Sequence, residues 1–293
     1  MEEIYCPLCH SISKLKWPGT EHWFLTEVGT YSCTTSNRSR PEIWECLQCE
    51  HVFSNPMHWP ADLGSEYNNV VDKDYIDLFQ AKEKTFNRTT KIVKKYTKPG
   101  GSVLEVGSYT GQSLRKIVLS GFKGTGIEPS NWASTIARNL GLTVVHGTAE
   151  IEIPKLDRTF DGVVSWDVIE HVKDPQIFIN LLSAKTKAGG FIFISTMDRA
   201  HWFAKFLGPR WPWVIPMHLH YFDKSGLQKM GEKAGLDLIK TGNHVHFTNP
   251  GYSLSRLLGS SQDSWPRWLV QLTKYPIFPV ALGDIKYFVY KKT

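Results

Sequence analysis

The stretch VLEVGSYTG, residues 103–111, decides how this 293-residue chain is read. An apolar run leads into Gly107 and Gly111, which frame a sharp turn from strand to helix. Lacking Cβ atoms, the two glycines let a ligand lie against the backbone, and the helix that follows offers its N-terminal N–H groups to a carboxylate. The pattern is E-x-G-x-x-x-G. A dinucleotide fingerprint, G-x-G-x-x-G, needs a middle glycine to approach a pyrophosphate; that glycine is missing, and no Walker lysine follows.

Around this turn, short β-branched runs alternate with helical patterns. Strands are expected at Ser102–Val106, Gly124–Ile127, Thr143–His146, Phe160–Trp166, Phe191–Thr196, Leu236–Thr241 and Ile285–Tyr290. Helices are expected at Gly111–Ser120, Asn131–Asn139, Pro175–Lys187 and Asp223–Ala234, the last capped by Asp223 and stopped by Gly235. Such alternation predicts a Rossmann-like, doubly wound α/β sheet of seven strands. The second strand ends in Glu128, about 20 residues beyond the turn, where a carboxylate can accept both hydroxyls of a ribose. Glycine turn and acidic strand tip together read as an adenosine-type cofactor with a carboxylate in place of pyrophosphate. S-adenosylmethionine fits.

The sequence from about 74 to 246 resembles the class I S-adenosylmethionine-dependent methyltransferases, in the branch of ubiquinone-biosynthesis, sugar and natural-product enzymes. The resemblance is carried by LEVGSYTG (104–111), GIEPS (126–130), HGTAE (146–150), FDGVVSWDVIEHVKDP (160–175) and HLHYFD (218–223). It implies that Glu105, Gly107 and Gly111 hold the methionine end and that Glu128 binds the ribose. Thr148 and Ala149 would border the adenine, and Trp166 and Asp167 would close over the cofactor, with Ser108 and Pro129 also in the site. The resemblance departs at Ser108 and Tyr109, where many relatives carry small or acidic residues. That departure bears on how the methionine carboxylate is held and not on the cofactor class.

Methyl transfer disperses the positive charge of a sulfonium, so alignment and water exclusion carry most of the acceleration. A hydroxyl acceptor still needs a base within hydrogen-bond reach. His171, in DVIEHV after the fourth strand, is one candidate, because an imidazole with a pKa near 6.5 can take a proton at neutral pH. The alternative is that Glu170 and His171 cap the next helix. His218 and His220 precede the Asp223 helix in a segment the resemblance places over the acceptor; His220 is the second candidate base. No nearby acid or cysteine completes a metal set with them. The preceding HWFAKFLGPRWPWVIP (201–216) suits stacking on sugar rings or isoprenoid chains, with Arg210 able to meet a phosphate, or packing against the C-terminal residues.

Two C-x-x-C knuckles, Cys6/Cys9 and Cys46/Cys49, form the set of a structural Zn2+ ribbon, closed by four thiolates and therefore without an open catalytic position. Cys33 is left over, and His10 and His51 read as solvent-facing neighbours. The chain accordingly divides into a zinc-ribbon-like module (1–60), a helical linker or lid (61–98) and a methyltransferase domain (99–293) in which 252–282 form an appended aromatic lobe.

Composition narrows the partners. The chain has 41% hydrophobic residues and a formal charge of +6, with basic residues dispersed rather than blocked. The acidic MEEIYCPLCH start has no signal-like core and no stretch reaches about 20 apolar residues, so a cytoplasmic protein without a membrane span is expected, peripheral membrane contact remaining open. The expected acceptor is a small molecule, sugar- or lipid-linked, methylated on a hydroxyl; C- or N-methylation of a sugar is an alternative. An RNA substrate is disfavoured, since the fourth strand ends in WDVIEH rather than an Asn/Asp-Pro-Pro-aromatic motif. A non-catalytic zinc scaffold is disfavoured by the intact turn and Glu128. Oligomeric state is not legible.

Overall fold

A computed structural model describes residues 3–20, 40–68, 70–71, 78–258 and 265–293. Cys33 and residues 69 and 72–77 of the expected helical linker lie outside these described residues. Three short strands come first: β1 (Ser13–Trp17), β2 (Ile43–Cys46) and β3 (Val52–Ser54). The central strands are β4 (Ser102–Val106), β5 (Lys123–Glu128), β6 (Val144–His146), β7 (Phe160–Trp166) and β8 (Thr186–Met197). There follow β9 (His220–Tyr221), β10 (Leu236–Asn243), β11 (His246–Thr248), β12 (Phe278–Val280) and β13 (Ile285–Lys292).

Among the described residues, seven strands form the main sheet in the order β10-β13-β8-β7-β4-β5-β6. The five strands from β6 to β8 run parallel, while β13 pairs antiparallel with both β8 and β10. From β4 the chain winds outward to β5 and β6, then returns to the other side of β4 as β7. That reversal leaves a crevice above the carboxyl ends of β4 and β7, the place where open α/β sheets bind ligands.

The sheet is held by burial on both faces. Leu104, Ile127, Val163, Ile192 and Phe288 are all within 1% of full burial, and a side chain so placed contributes about 1.5–3 kcal/mol. Local signals set the helix starts. Ser130 accepts from Ala133 N at the helix Asn131–Asn139, and Asp223 accepts from Gly226 N at 2.8 Å before Lys224–Lys233. Asp174, followed by Pro175, caps Pro175–Ala184 by accepting from Ile177 N. Helix capping therefore falls to Asp174, not to Glu170 or His171.

Two expectations about boundaries need correction. The helix expected to reach Lys187 ends at Ala184, and the strand expected at Phe191 starts at Thr186. The pair Gly189–Gly190 reads as a stop, yet the chain passes through it inside β8, whose register against β7 shifts between Phe160 and Gly162. Within the expected helical linker 61–98 the described helices are Leu63–Asn68 and Phe79–Tyr96.

The N-terminal strands form a second sheet of order β1-β2-β3-β9. Its fourth strand belongs to the distant segment His220–Tyr221, paired through Val52↔Tyr221 and Phe53↔His220. Residues 252–282 contribute most of the helix Pro250–Leu258, the helix Arg267–Leu272, and β12, which pairs antiparallel with β11. Among the described residues, no helix is long and apolar enough to cross a membrane.

Candidate functional site

A cavity of about 1440 Å³ opens above β4, β5 and β7. Ligand sites ordinarily run to about 300–1,000 Å³, so this volume accommodates a cofactor together with a second molecule.

One end is built by the glycine turn. Gly107 has φ +77° and Gly111 φ +80°, a region that other residues enter only with strain. A Cβ on Gly107 would collide with Val168 Cγ2, and one on Gly111 would sit 2.5 Å from Leu142 Cδ1. Gly107 lines the cavity, whereas Gly111 stands behind it as the cap of the helix Gln112–Leu119. Tyr109, between them, has φ +47°.

The Glu128 carboxylate locks this turn. Its Oε2 accepts from Tyr109 N at 2.7 Å and its Oε1 from Ser130 N at 2.8 Å. Burial nevertheless pushes its carboxyl up to about 7. Glu105 is 2% exposed, its Oε2 has no hydrogen-bond partner, and burial pushes its carboxyl up to about 8. Ser108 Oγ, also on the cavity wall, is similarly buried and unpartnered. Orphaned polar atoms are costly unless a ligand satisfies them. A carboxylate clamp, an orphaned acid and an orphaned hydroxyl fit the hydroxyls and charged amino-acid end of S-adenosylmethionine. Pro129, Thr148, Ala149, Trp166 and Asp167 line the same space. Ten of the expected cofactor residues thus converge on one crevice, nine of them on its wall.

A cover lies over this end. Ala61, Asp62, Leu63, Gly64, Tyr67 and Val70 line the cavity, and the segment is tied down by Ser130 Oγ donating to Val70 O at 2.9 Å and Lys173 Nζ donating to Ala61 O at 2.5 Å. A contact of 3.0 Å also joins His146 Nε2 to Asn68 Oδ1.

The other end carries histidines and aromatics. His171 Nδ1 lies 2.9 Å from Met217 O and His218 Nδ1 lies 2.8 Å from Trp213 O. A carbonyl accepts only, so each Nδ1 carries hydrogen and each Nε2 is the basic nitrogen. The two rings stand 4.8 Å apart, edge to face. Burial takes His171 down to about 4, so its imidazole is neutral at physiological pH. Trp211 and Trp213 both donate to Asp284 Oδ2, at 2.9 and 3.1 Å, pinning the 211–216 segment to the base of β13.

His220 is placed elsewhere. It is fully buried in β9, its Nδ1 lies 2.9 Å from His51 Nε2 and its Nε2 3.3 Å from Lys173 O, and it does not line the cavity. A base must reach its proton, and both nitrogens here are already engaged. His51, expected to face solvent, is 7% exposed and serves as that partner; His10 is exposed.

The sequence reading passed over Asp284, His244 and His246. His244 and His246 both line the cavity beside Asp167, and their rings stack at 4.4 Å. The available signal was a second His-x-His, at 244–246, like the one at 218–220.

At the end of β2, the Cys6, Cys9, Cys46 and Cys49 sulfurs all lie within 4.8 Å of one another. Three pairs stand at 3.4–3.6 Å, against about 3.8 Å for a tetrahedron with metal–sulfur bonds of about 2.3 Å. Backbone N–H groups of Leu8, Gln48 and Cys49 point at sulfur at 3.4 Å, as thiolates require. His10 and Glu50, directly after the second cysteine of each knuckle, both have φ near +60°.

The family profile described as "Methyltransferase domain" matches residues 79–241, more than half the chain. The chain belongs to the methyltransferase-domain family. It is an S-adenosylmethionine-dependent methyltransferase. Among curated proteins, the methyltransferase is 29% identical over 182 residues to a ubiquinone biosynthesis O-methyltransferase of Coxiella burnetii, covering 58% of this chain and 78% of that one. It is 30% identical over 174 residues to the Rhizobium etli protein of the same name, covering 54% and 68%. Among solved structures, a SAM-dependent methyltransferase from Archaeoglobus fulgidus shares the fold, with a TM-score of 0.52 at 16% identity over 75% of this chain and all of that chain.

Proposed function

We propose that this methyltransferase moves the methyl group of S-adenosylmethionine to a hydroxyl of a small, sugar- or lipid-linked acceptor. The observation that carries the reading is the division of one cavity into a carboxylate-clamped end and a histidine-and-indole end. At the first, Glu128 receives the ribose hydroxyls. Glu105 and Ser108 receive the methionine end, and Thr148 and Ala149 flank the adenine. An ammonium beside Glu105 supplies the opposite charge that its burial lacks, which restores the ionised form.

At the second end, the acceptor oxygen attacks the methyl carbon in line with the departing sulfur, and the C–S bonding pair stays on sulfur. The acceptor proton passes to Nε2 of His171, whose tautomer the Met217 carbonyl sets. Transfer to oxygen is supported by the names of the two relatives and by a basic nitrogen on this wall. A sugar- or lipid-linked acceptor is supported by Trp211, Trp213, Phe203 and Arg210 on the same wall, since indole faces suit sugar rings and a guanidinium suits phosphate.

The four cysteines hold structural Zn2+ in this reading, and residues 1–60 act as a zinc-ribbon-like module, 61–98 as a lid and 99–293 as the catalytic domain.

Mass spectrometry of sugar-nucleotide and lipid-linked sugar pools, incubated with and without enzyme and S-adenosylmethionine, tests the acceptor. A product heavier by one methylene is expected. Calorimetry with S-adenosylhomocysteine tests the cofactor end alone; no measurable heat of binding would overturn the whole reading.

A further inference from the structure

We infer that Asp167, His244 and His246 form a binding site for one divalent transition-metal cation on the cavity wall. Their ligand atoms lie within 4.8 Å of one another, and His246 Nε2 stands 3.7 Å from Asp167 Oδ2. Two imidazoles and a carboxylate suit Zn2+, Fe2+ or Mn2+ and leave coordination positions open. A cation with bonds of about 2.1 Å would hold its neighbouring ligands about 3.0–3.4 Å apart, a closure that side-chain rotation supplies.

An ordinary buried histidine pair does not account for this cluster. His244 is 5% exposed, yet neither of its ring nitrogens has a hydrogen-bond partner, and buried polar groups are nearly always paired. Its ring is held edge-on to Trp166 at 5.6 Å. The corner bearing both histidines is anchored on two sides, by His244 N donating to Ile285 O and Phe247 N donating to Thr85 Oγ1, each at 2.9 Å.

Asp167 is equally constrained. It is one of four non-glycine residues with positive φ among the described residues, at +55°, and such strain persists where the surroundings enforce it. Ser195 enforces it, with Oγ donating to Asp167 Oδ1 at 2.6 Å and accepting from Asp167 N at 3.0 Å. The second carboxylate oxygen is thereby aimed at His246. The open positions face a cavity that also holds the proposed methyl donor, so an oxygen of the second molecule is the expected additional ligand. Lys82 faces the same carboxylate and competes with a cation for it.

The zinc count of the full-length protein tests this independently of the cysteines. Wild-type protein and a His244→Ala/His246→Ala variant are loaded with Zn2+, desalted and measured by mass spectrometry of the metal. The expected difference is one zinc per chain, with Asp167→Asn weakening the affinity at least tenfold and Lys82→Met tightening it several-fold. Equal counts in wild type and variant would overturn the site. Should the variant fail to fold, zinc-edge X-ray absorption on wild-type protein decides: imidazole nitrogen in the metal's surroundings supports the site, and sulfur alone overturns it. The inference does not need the donor reading, because loss of S-adenosylhomocysteine binding would leave the zinc count unchanged.

Discussion

Replacing Glu128 by glutamine separates the two demands on its carboxylate. The side chain is 5% exposed, and burial moves its carboxyl from the usual 4.5 to about 7 despite two backbone donors. Between these pH values the native state holds a proton that the unfolded chain has lost. Stability from the protonated form is therefore complete below about pH 4.5 and falls away as pH rises toward 7. At about 1.4 kcal/mol per pH unit, the loss amounts to roughly 3 kcal/mol. Glutamine does not ionise, so this dependence vanishes in the variant. Its NH2 group opposes either Tyr109 N or Ser130 N, a fixed cost of about 1–3 kcal/mol. Urea denaturation of ligand-free, zinc-replete protein at about pH 5 and about pH 8 gives the stability difference between variant and wild type. Glu105, whose carboxyl the Glu128 charge helps to raise, is relieved in the variant as well and adds to the change; the other groups common to both proteins cancel. The difference should move by roughly 3 kcal/mol in favour of the variant between the two conditions. S-adenosylhomocysteine should bind Glu128→Gln at least about 30-fold more weakly at the higher pH, the ionised acceptor being gone. A stability difference constant to within about 1 kcal/mol would refute the assignment of a raised, ligand-facing carboxylate.

Three further substitutions probe other parts of the cavity. Gly107→Ala forces a Cβ onto Val168 at a positive φ. It should cost about 1–2 kcal/mol from the backbone alone and weaken S-adenosylhomocysteine binding by calorimetry; unchanged affinity would show that the turn does not touch the cofactor. His171→Ala should lower kcat by about 100-fold or more while that binding persists, whereas His220→Ala should act on the melting temperature rather than on kcat; equal loss of kcat in both would remove His171 from the base role. Asp284→Ala strips both indole N–H groups of their acceptor and should cost about 2–4 kcal/mol in urea denaturation; a change under about 0.5 kcal/mol would mean that the 211–216 segment is held by packing alone.

Much of the fold was legible because its signals are local. The boundaries of Ser102–Val106, Phe160–Trp166 and Asn131–Asn139 follow from β-branched runs, helix caps and glycine stops, and the structure has the same bounds. That Gly107 and Glu128 would come together on one cavity wall was legible for a similar reason, since a strand tip and its turn are adjacent in sequence; Glu105 was read from the family resemblance and lines the same wall. What failed required knowing which way a side chain faces after a long connection. His218 and His220 are two residues apart and would share a face in an extended strand. Residue 218 instead precedes the strand, so His218 enters the cavity while His220 turns to His51. His244 and His246 also straddle the end of a strand, and there the corner brings both rings together. Sequence spacing is the same in the two cases; the backbone path decides.

The pairing of β9 with β3 gives the cysteine cluster a mechanical route to the acceptor end. Ser54 N donates to Leu219 O at 2.9 Å, and Leu219 N donates to Glu170 O at 2.8 Å. One residue beyond Glu170 is His171, whose Nδ1 is held by Met217 O, two residues before Leu219. Hydrogen bonds thus run without a gap from β3, the strand just after the second knuckle, to the imidazole proposed as base. At the cofactor end the turn is fixed by Gly107 N and Ser108 N donating to Ile127 O and by the Glu128 clamp, all within β4, β5 and the loops after them, and the N-terminal segment meets this end beyond the turn, at Ser130 and His146. Metal release that loosens β3 should therefore disturb the orientation of His171 before it disturbs cofactor binding. Titrating zinc-loaded enzyme with a thiolate-competing chelator should lower kcat at least about tenfold, the scale on which a misplaced general base is felt. Affinity for S-adenosylhomocysteine should stay within about twofold over the early part of the titration. If affinity and kcat fall together from the first increment, the cysteine module supports the fold as a whole and the path through Leu219 carries nothing specific.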